Sequence, residues 1–266
     1  YLAYPRWAKV SRKGKINLSY QLCLDKEEIE KMSITEIDKQ VRKQLEHDEV
    51  AYQRKTRNRY IGKNLAESLE HLLFICPQCK SFNTLVSRDD RLVCQQCQYG
   101  IRYNQFGFLE AIKKKLYFDN LRDWNRWQNK FLKKMIHKKL RKAHTKVVLE
   151  DHPVDVLQGS FEDDFQKKGK GRLWLDKMGL HFSLEGGEKH QFKINHITGL
   201  NVQFHAVLEF NYKENIYRFH FHNPHVSAYK WVQAIHFMQQ ENTTTVNQAE
   251  KLSGCFNTCL QGNAKN

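Results

Sequence analysis

Cys76, Cys79, Cys94 and Cys97 are set out as C-P-Q-C, fourteen intervening residues, then C-Q-Q-C. No other feature of the 266 residues restricts the fold as much. A tight turn within each pair aims two thiolates at one point, and the linker is long enough for a short hairpin that carries the second pair across. The spacing predicts a tetrahedral zinc site holding a zinc ribbon. Four thiolates leave no open coordination position, so the expected zinc holds structure and does not activate water. The chain has seven cysteines, four of them in metal spacing. That usage reads as reduced thiols in the cytoplasm and not as a disulfide framework. Cys23, within Leu22-Cys23-Leu24, is expected to be a buried small hydrophobe. Cys255 and Cys259 are expected to be free thiols in a polar tail.

The formal charge of +15 is unevenly spread. Residues 110–146 hold thirteen Lys and Arg against Glu110, Asp119 and Asp123, a net of +10. A second basic patch holds Arg6, Lys9, Arg12, Lys13 and Lys15, with no acidic residue before Asp25. Such fields attract polyanions, either nucleic acid or a leaflet of acidic lipid. No apolar run approaches the ~18 residues that a spanning helix needs, and no cleavable leader is expected. Because the chain starts at Tyr1, we expect it to be cut from a longer product.

Periodicity divides the chain into five parts. Residues 1–60 begin extended, with a hairpin expected at Lys13-Gly14-Lys15 and alternation at Ile16, Leu18 and Tyr20. A helix then starts at the capping box Ser33/Glu36, with Ile34, Ile37, Val41 and Leu45 on one face. Residues 61–108 form the ribbon, with a short lead-in helix over Asn64–Leu73 and strands on either side of Arg88-Asp89-Asp90. Residues 109–150 read as a basic amphipathic helix from about Glu110 to Thr145. Its Trp124, Trp127 and Phe131 either lie in a membrane surface or pack on a ribbon too small to bury its own core.

Residues 151–240 alternate in seven short segments and end in a helix striped by Val226, Tyr229, Val232, Ile235 and Met238. With Gly171-Arg172-Leu173-Trp174-Leu175 and Tyr229-Lys230-Trp231-Val232, this part resembles a pleckstrin-homology or GRAM-type barrel plugged by its helix. Residues 241–266 read as a flexible tail. The fold class is therefore α+β and multidomain.

No nucleophile elbow, P-loop or dinucleotide-binding glycine pattern is present. His220 and His222 share a strand face, but two imidazoles do not make a metal site. No histidine has an aspartate five residues on, so H-x-x-x-x-D, in which Asp orients His to deprotonate a hydroxyl, is missing. No catalytic residue is assigned.

Residues 1–24, from Tyr-Leu-Ala-Tyr-Pro-Arg-Trp through Arg12-Lys13-Gly14-Lys15, resemble the segment beyond the catalytic motifs of bacterial 1-acylglycerol-3-phosphate acyltransferases. The likeness continues through Met32 to Glu49, Gly62-Lys63-Asn64-Leu65-Ala66-Glu67 and the ribbon. It ends near Tyr99 to Phe108 and Asp123-Trp124-Asn125-Arg126-Trp127. The resemblance implies that the first part is the remnant of an α/β acyltransferase domain. The family's H-x-x-x-x-D and F-P-E-G-T-R motifs would lie upstream. The parent would acylate lysophosphatidic acid from acyl-CoA or acyl carrier protein, peripheral to the inner face of the cell membrane, while this chain alone is inactive. Arg6, Lys9, Arg12 and Lys13 would receive an anionic lipid headgroup or donor. The competing reading is a nucleic-acid-binding or protein-interaction ribbon with no enzymatic role.

Overall fold

The computed structural model of the chain describes residues 2–113, 115–141 and 147–241. Three short helices come first: α1 (Lys26–Lys31), α2 (Ile34–Leu45) and α3 (Glu49–Thr56). Side chains that satisfy the free N–H groups of the first turn start both α1 and α2. Ser33 and Glu36 form the expected capping box, and Asp25 and Glu28 form a second one ahead of α1. The expected hairpin at Lys13-Gly14-Lys15 does not form. Lys13 instead exchanges backbone hydrogen bonds with Ile61 (2.9 and 2.7 Å), and residues 14–25 form neither helix nor strand.

The ribbon is a four-stranded antiparallel sheet: β1 (Leu85–Arg88), β2 (Arg91–Cys94), β3 (Gly100–Tyr103) and β4 (Leu109–Ala111), in that spatial order. Asp89, with φ at +55°, makes the β1–β2 turn. The lead-in is a single 3-10 turn at Leu69–His71 and not a helix over Asn64–Leu73.

A single helix, α4 (Leu121–Leu140), follows. It is shorter at its front than the sequence pattern suggests. Leu109 to Ala111 complete the ribbon sheet against β3, and the helix begins only where Asn120 caps it by accepting from Asp123 N. Its buried stripe is Leu121, Trp124, Gln128, Leu132 and Ile136. Leu121 and Trp124 belong to the ribbon core with Leu69, Leu92, Ile101 and Tyr103, whereas Leu132 and Ile136 belong to the core of the next unit. Trp127 packs against both. The aromatics of α4 thus face protein, the second of the two arrangements open from the sequence.

All seven expected strands are present: β5 (Leu149–Gly159), β6 (Gln166–Asp176), β7 (Gly179–Leu184), β8 (Lys189–Phe192), β9 (Ile197–Gln203), β10 (Val207–Tyr212) and β11 (Asn215–Phe221). They form one curled antiparallel sheet in the order β8-β7-β6-β5-β11-β10-β9. Strands β6 and β7 approach so closely at Gly171 that a Cβ there would strike the Ser183 carbonyl. A helix over residues 228–241, here α5, closes the concave side. It places Ala228, Trp231, Ala234 and Ile235 against a core that contains Phe182, Phe210 and Phe219. Phe74 and Ile75, which lead into the first cysteine pair, lie in this same core. The expected tail and Cys255 and Cys259 fall almost wholly outside the described residues.

Candidate metal centre

The two cysteine pairs sit in two turns of the same construction. In the first, Cys76 N donates to Ser81 O (3.1 Å) and Lys80 N donates to Cys76 O (2.9 Å). In the second, Cys94 N donates to Tyr99 O (2.8 Å) and Gln98 N donates to Cys94 O (2.9 Å). Lys80 and Gln98, each one residue after the second cysteine of its pair, both take left-handed backbone with φ near +60°. That conformation turns the chain back on itself, so both sulfurs of a pair face one point.

The four Sγ atoms lie within 4.8 Å of one another. Cys76 and Cys97 are 3.6 Å apart at sulfur, and Cys79 and Cys94 are 3.7 Å apart. A regular tetrahedron of sulfurs about 2.3 Å from a metal has edges of about 3.8 Å, whereas a disulfide closes to about 2.05 Å. The arrangement therefore fits a tetrahedral thiolate site, and it is the one such cluster among the described residues.

Burial and hydrogen bonding treat the four sulfurs differently. Cys76 and Cys94 are fully buried, and Cys79 and Cys97 line the outer side. Burial pushes the Cys76 thiol well up, against N–H groups from Gln78 and Cys79 that favour the thiolate. Burial also pushes Cys97 up, opposed by Tyr99 N–H. At Cys79 burial is outweighed by the Ser81 hydroxyl and backbone, and the thiol is lowered to about 6. Ser81 Oγ lies 3.2 Å from Cys79 Sγ, and Thr84 Oγ1 lies 3.3 Å from Cys94 Sγ. A divalent cation would favour deprotonation at all four positions.

Helix α4 braces the first turn from behind. Trp124 Nε1 donates to Ile75 O (3.0 Å), beside Cys76. Gln128, fully buried, accepts from Phe74 N (3.0 Å) and donates to Leu72 O (2.8 Å). On the other side Asn83, between the cysteine pairs, donates to Asp151 of β5 (3.0 Å). Asp151 also accepts from Lys230 Nζ and Trp231 Nε1 of α5, each at 2.7 Å, and Lys230 donates to Asn83 Oδ1 (3.1 Å). Lys230 is 1 % exposed, and burial pushes its pKa down. This network, absent from the sequence reading, ties the metal-site loop to the curled sheet. The one sequence signal for it is spacing, because Lys230 falls on the buried face of α5 with Ala234 and Met238.

Of the four basic residues at the start of the chain, Arg12 is buried, donates to Leu65 O (2.6 Å) and lies 5.1 Å from the centre of the Tyr103 ring. Arg6, Lys9 and Lys13 are exposed. His222 reaches Asp155 (3.2 Å), and His220 and His222 belong to no metal-ligating cluster among the described residues. His181 meets Asp176 (2.8 Å) and stacks on Trp174, while Asp176 also accepts from Met178 N, so this pair closes the β6–β7 turn. Cys23 is half-buried and not buried as expected.

Comparison with known protein families, with characterised proteins and with solved structures found no match to this chain. Among the described residues no helix is long and apolar enough to cross a membrane.

Proposed function

We propose that this chain is the accessory part of a peripheral-membrane acyltransferase that acylates lysophosphatidic acid. It carries a structural zinc in the four-cysteine site and contributes no catalytic group. The acyl donor, acyl-CoA or acyl carrier protein, and the acceptor would bind a catalytic α/β body that residues 1–24 and 32–49 resemble in sequence at its distal end.

One observation carries the reading: the state of residues 14–45. Ile16, Leu18, Tyr20 and Leu22, alternating in sequence, are 68, 77, 95 and 78 % exposed. Neither α1 nor α2 buries a single residue, and Ile34 and Leu45 of the apolar face of α2 are 86 and 76 % exposed. An apolar-alternating segment followed by an amphipathic helix is the sequence pattern of half an α/β layer, and here both leave most of that apolar surface exposed. By contrast α3 is fastened to the ribbon side by Arg122 to Asp48 and by Arg54 to Asp119 (2.8 Å). Residues 2–13 are fastened to the ribbon as well, with Trp7 and Ala8 in its core and Lys13 paired with Ile61, so the segment left out of that core is residues 14–45.

The curled seven-stranded sheet closed by α5 supports the reading of residues 149–241 as a pleckstrin-homology or GRAM-like unit, a class used to hold proteins at membranes. The donor set of four thiolates supports zinc. Against a nucleic-acid ribbon, Tyr99, Tyr103 and Trp124 are fully buried and offer no face for base stacking.

The test is the reading frame upstream of Tyr1, joined to an acyl-transfer assay. A frame encoding H-x-x-x-x-D and F-P-E-G-T-R, active as the longer product and inactive as residues 1–266, is the expected result. A stop codon with a local start, or turnover by the pure chain, would overturn the reading.

A further inference from the structure

We infer that the column of cations on the second half of α4 is the surface by which the chain sits on an anionic phospholipid bilayer. This rests on the membrane-docking reading above and gives it a site. Lys130, Lys133, Lys134, Lys138 and Arg141 recur at spacings of three and four, which places them on one side of the helix. All five are exposed. Leu132 and Ile136 hold the opposite side in the core.

A shallow groove of about 560 Å³ runs along the column, lined by Lys133, Lys134, His137, Lys138, Arg141 and Glu241. Glu241 meets His137 (3.2 Å). Among the described residues no ion pair joins any of the five column cations to a carboxylate. From Trp124 to Arg141 the sequence contains no Asp or Glu at all. Like charges four apart on a helix repel one another, and only the negative end of the helix dipole offsets this. An external anion is the missing partner.

Lysines dominate the column, and a lysine is a compact charge that suits many singly placed phosphates over the forked recognition that arginine favours. Lys133 Nζ also lies 5.8 Å from the centre of the Phe237 ring. The exposed aromatics Tyr4, Tyr20, Tyr117, Phe161 and Phe204 all lie off α4 and α5, which leaves no stacking platform for a single-stranded nucleic acid. The β5–β6 loop is acidic and exposed at Glu162, Asp163 and Asp164, so an anionic leaflet would repel that end of the sheet.

Sedimentation of the full chain with phosphatidylcholine vesicles, with and without an equal share of phosphatidylglycerol, tests this. Each lysine near such a surface is worth roughly fivefold in binding, so K133Q/K134Q/K138Q should bind the acidic vesicles about a hundredfold more weakly than the parent chain. A control that removes the same charge elsewhere, K26Q/K31Q/K39Q on α1 and α2, should bind as the parent does. Both variants change only exposed side chains, and matching melting curves would verify their folds. Equal loss in the two variants, or none in the first, overturns the α4 site while membrane docking stands. No binding of the parent chain to acidic vesicles, or tight RNA binding that depends on the same lysines, overturns the site and the docking reading together.

Discussion

Lys230 and Asp151 show how a pair of residues can hold two units together. The ammonium is sealed, and its partners come from both the curled sheet and the cysteine-bearing loop. Removing one member of a buried pair strands the other charge, a loss of about 3–5 kcal/mol, much more than an exposed ion pair contributes. Lys230→Met should therefore lower the unfolding free energy by that amount, read by guanidinium titration, and Lys26→Met, in the exposed pair with Glu30, should leave it almost unchanged. Equal effects would contradict the role given to the network. At this scale the sequence was legible where chemistry is local. The cysteine spacing needs only two turns to become a site, and the structure supplies those turns. Arg12 and Lys230 were illegible because a cation in a basic or amphipathic segment is solvated by default. Only the fold reveals that Leu65 O awaits one and Asp151 the other.

Among the elements, the strands were the easiest to read. Their alternation is imposed by a sheet with one packed face, so each expected segment lies within or overlaps an observed strand. Helix α4 was harder. The run from Glu110 onward keeps a helical rhythm, and nothing local announces that Leu109 to Ala111 will be captured as the ribbon's edge strand. On the outer face of the sheet, Glu209 of β10 accepts from Arg218 of β11, its cross-strand neighbour, while Arg218 lies 3.6 Å from the centre of the Phe165 ring. Burial raises the Glu209 pKa, but hydrogen bonds from Arg218 and Gln203 outweigh this and leave it below the usual carboxylate value. A carboxyl lowered on folding adds stability above its unfolded pKa of about 4.3 and loses it as pH falls through the lowered folded value. Melting curves of the parent chain and Glu209→Gln should thus be well separated at neutral pH and converge as pH drops below about 4. A separation that persists unchanged into acid would show that the ion pair is not its source.

At the scale of the whole molecule, the ribbon, α4 and the curled sheet share side chains to the extent that no clean boundary separates them. Phe74 and Ile75 cross into the core of the sheet, α4 spans both cores, and Ser227 and His225 of the α5 approach meet His71 and Glu70 of the ribbon lead-in. The five-part division read from the sequence marks changes of pattern, because periodicity reports an element's own faces and is silent on what covers them. The same silence explains α2, whose apolar face reads as core although Ile34 and Leu45 are largely exposed. A metal held by the four cysteines would pin the assembly, because their loop touches α4 through Ile75 and the sheet through Asn83.

The most direct test is elemental analysis of the natively purified chain, with Trp fluorescence followed during chelation because Trp124 is bonded next to Cys76. The account predicts one equivalent of zinc per chain, its loss in Cys94→Ser, and a fluorescence change and a lower melting temperature once zinc is removed. Metal-free protein with four freely titrating thiols and an unchanged melting temperature would contradict it, and so would stoichiometric iron in place of zinc.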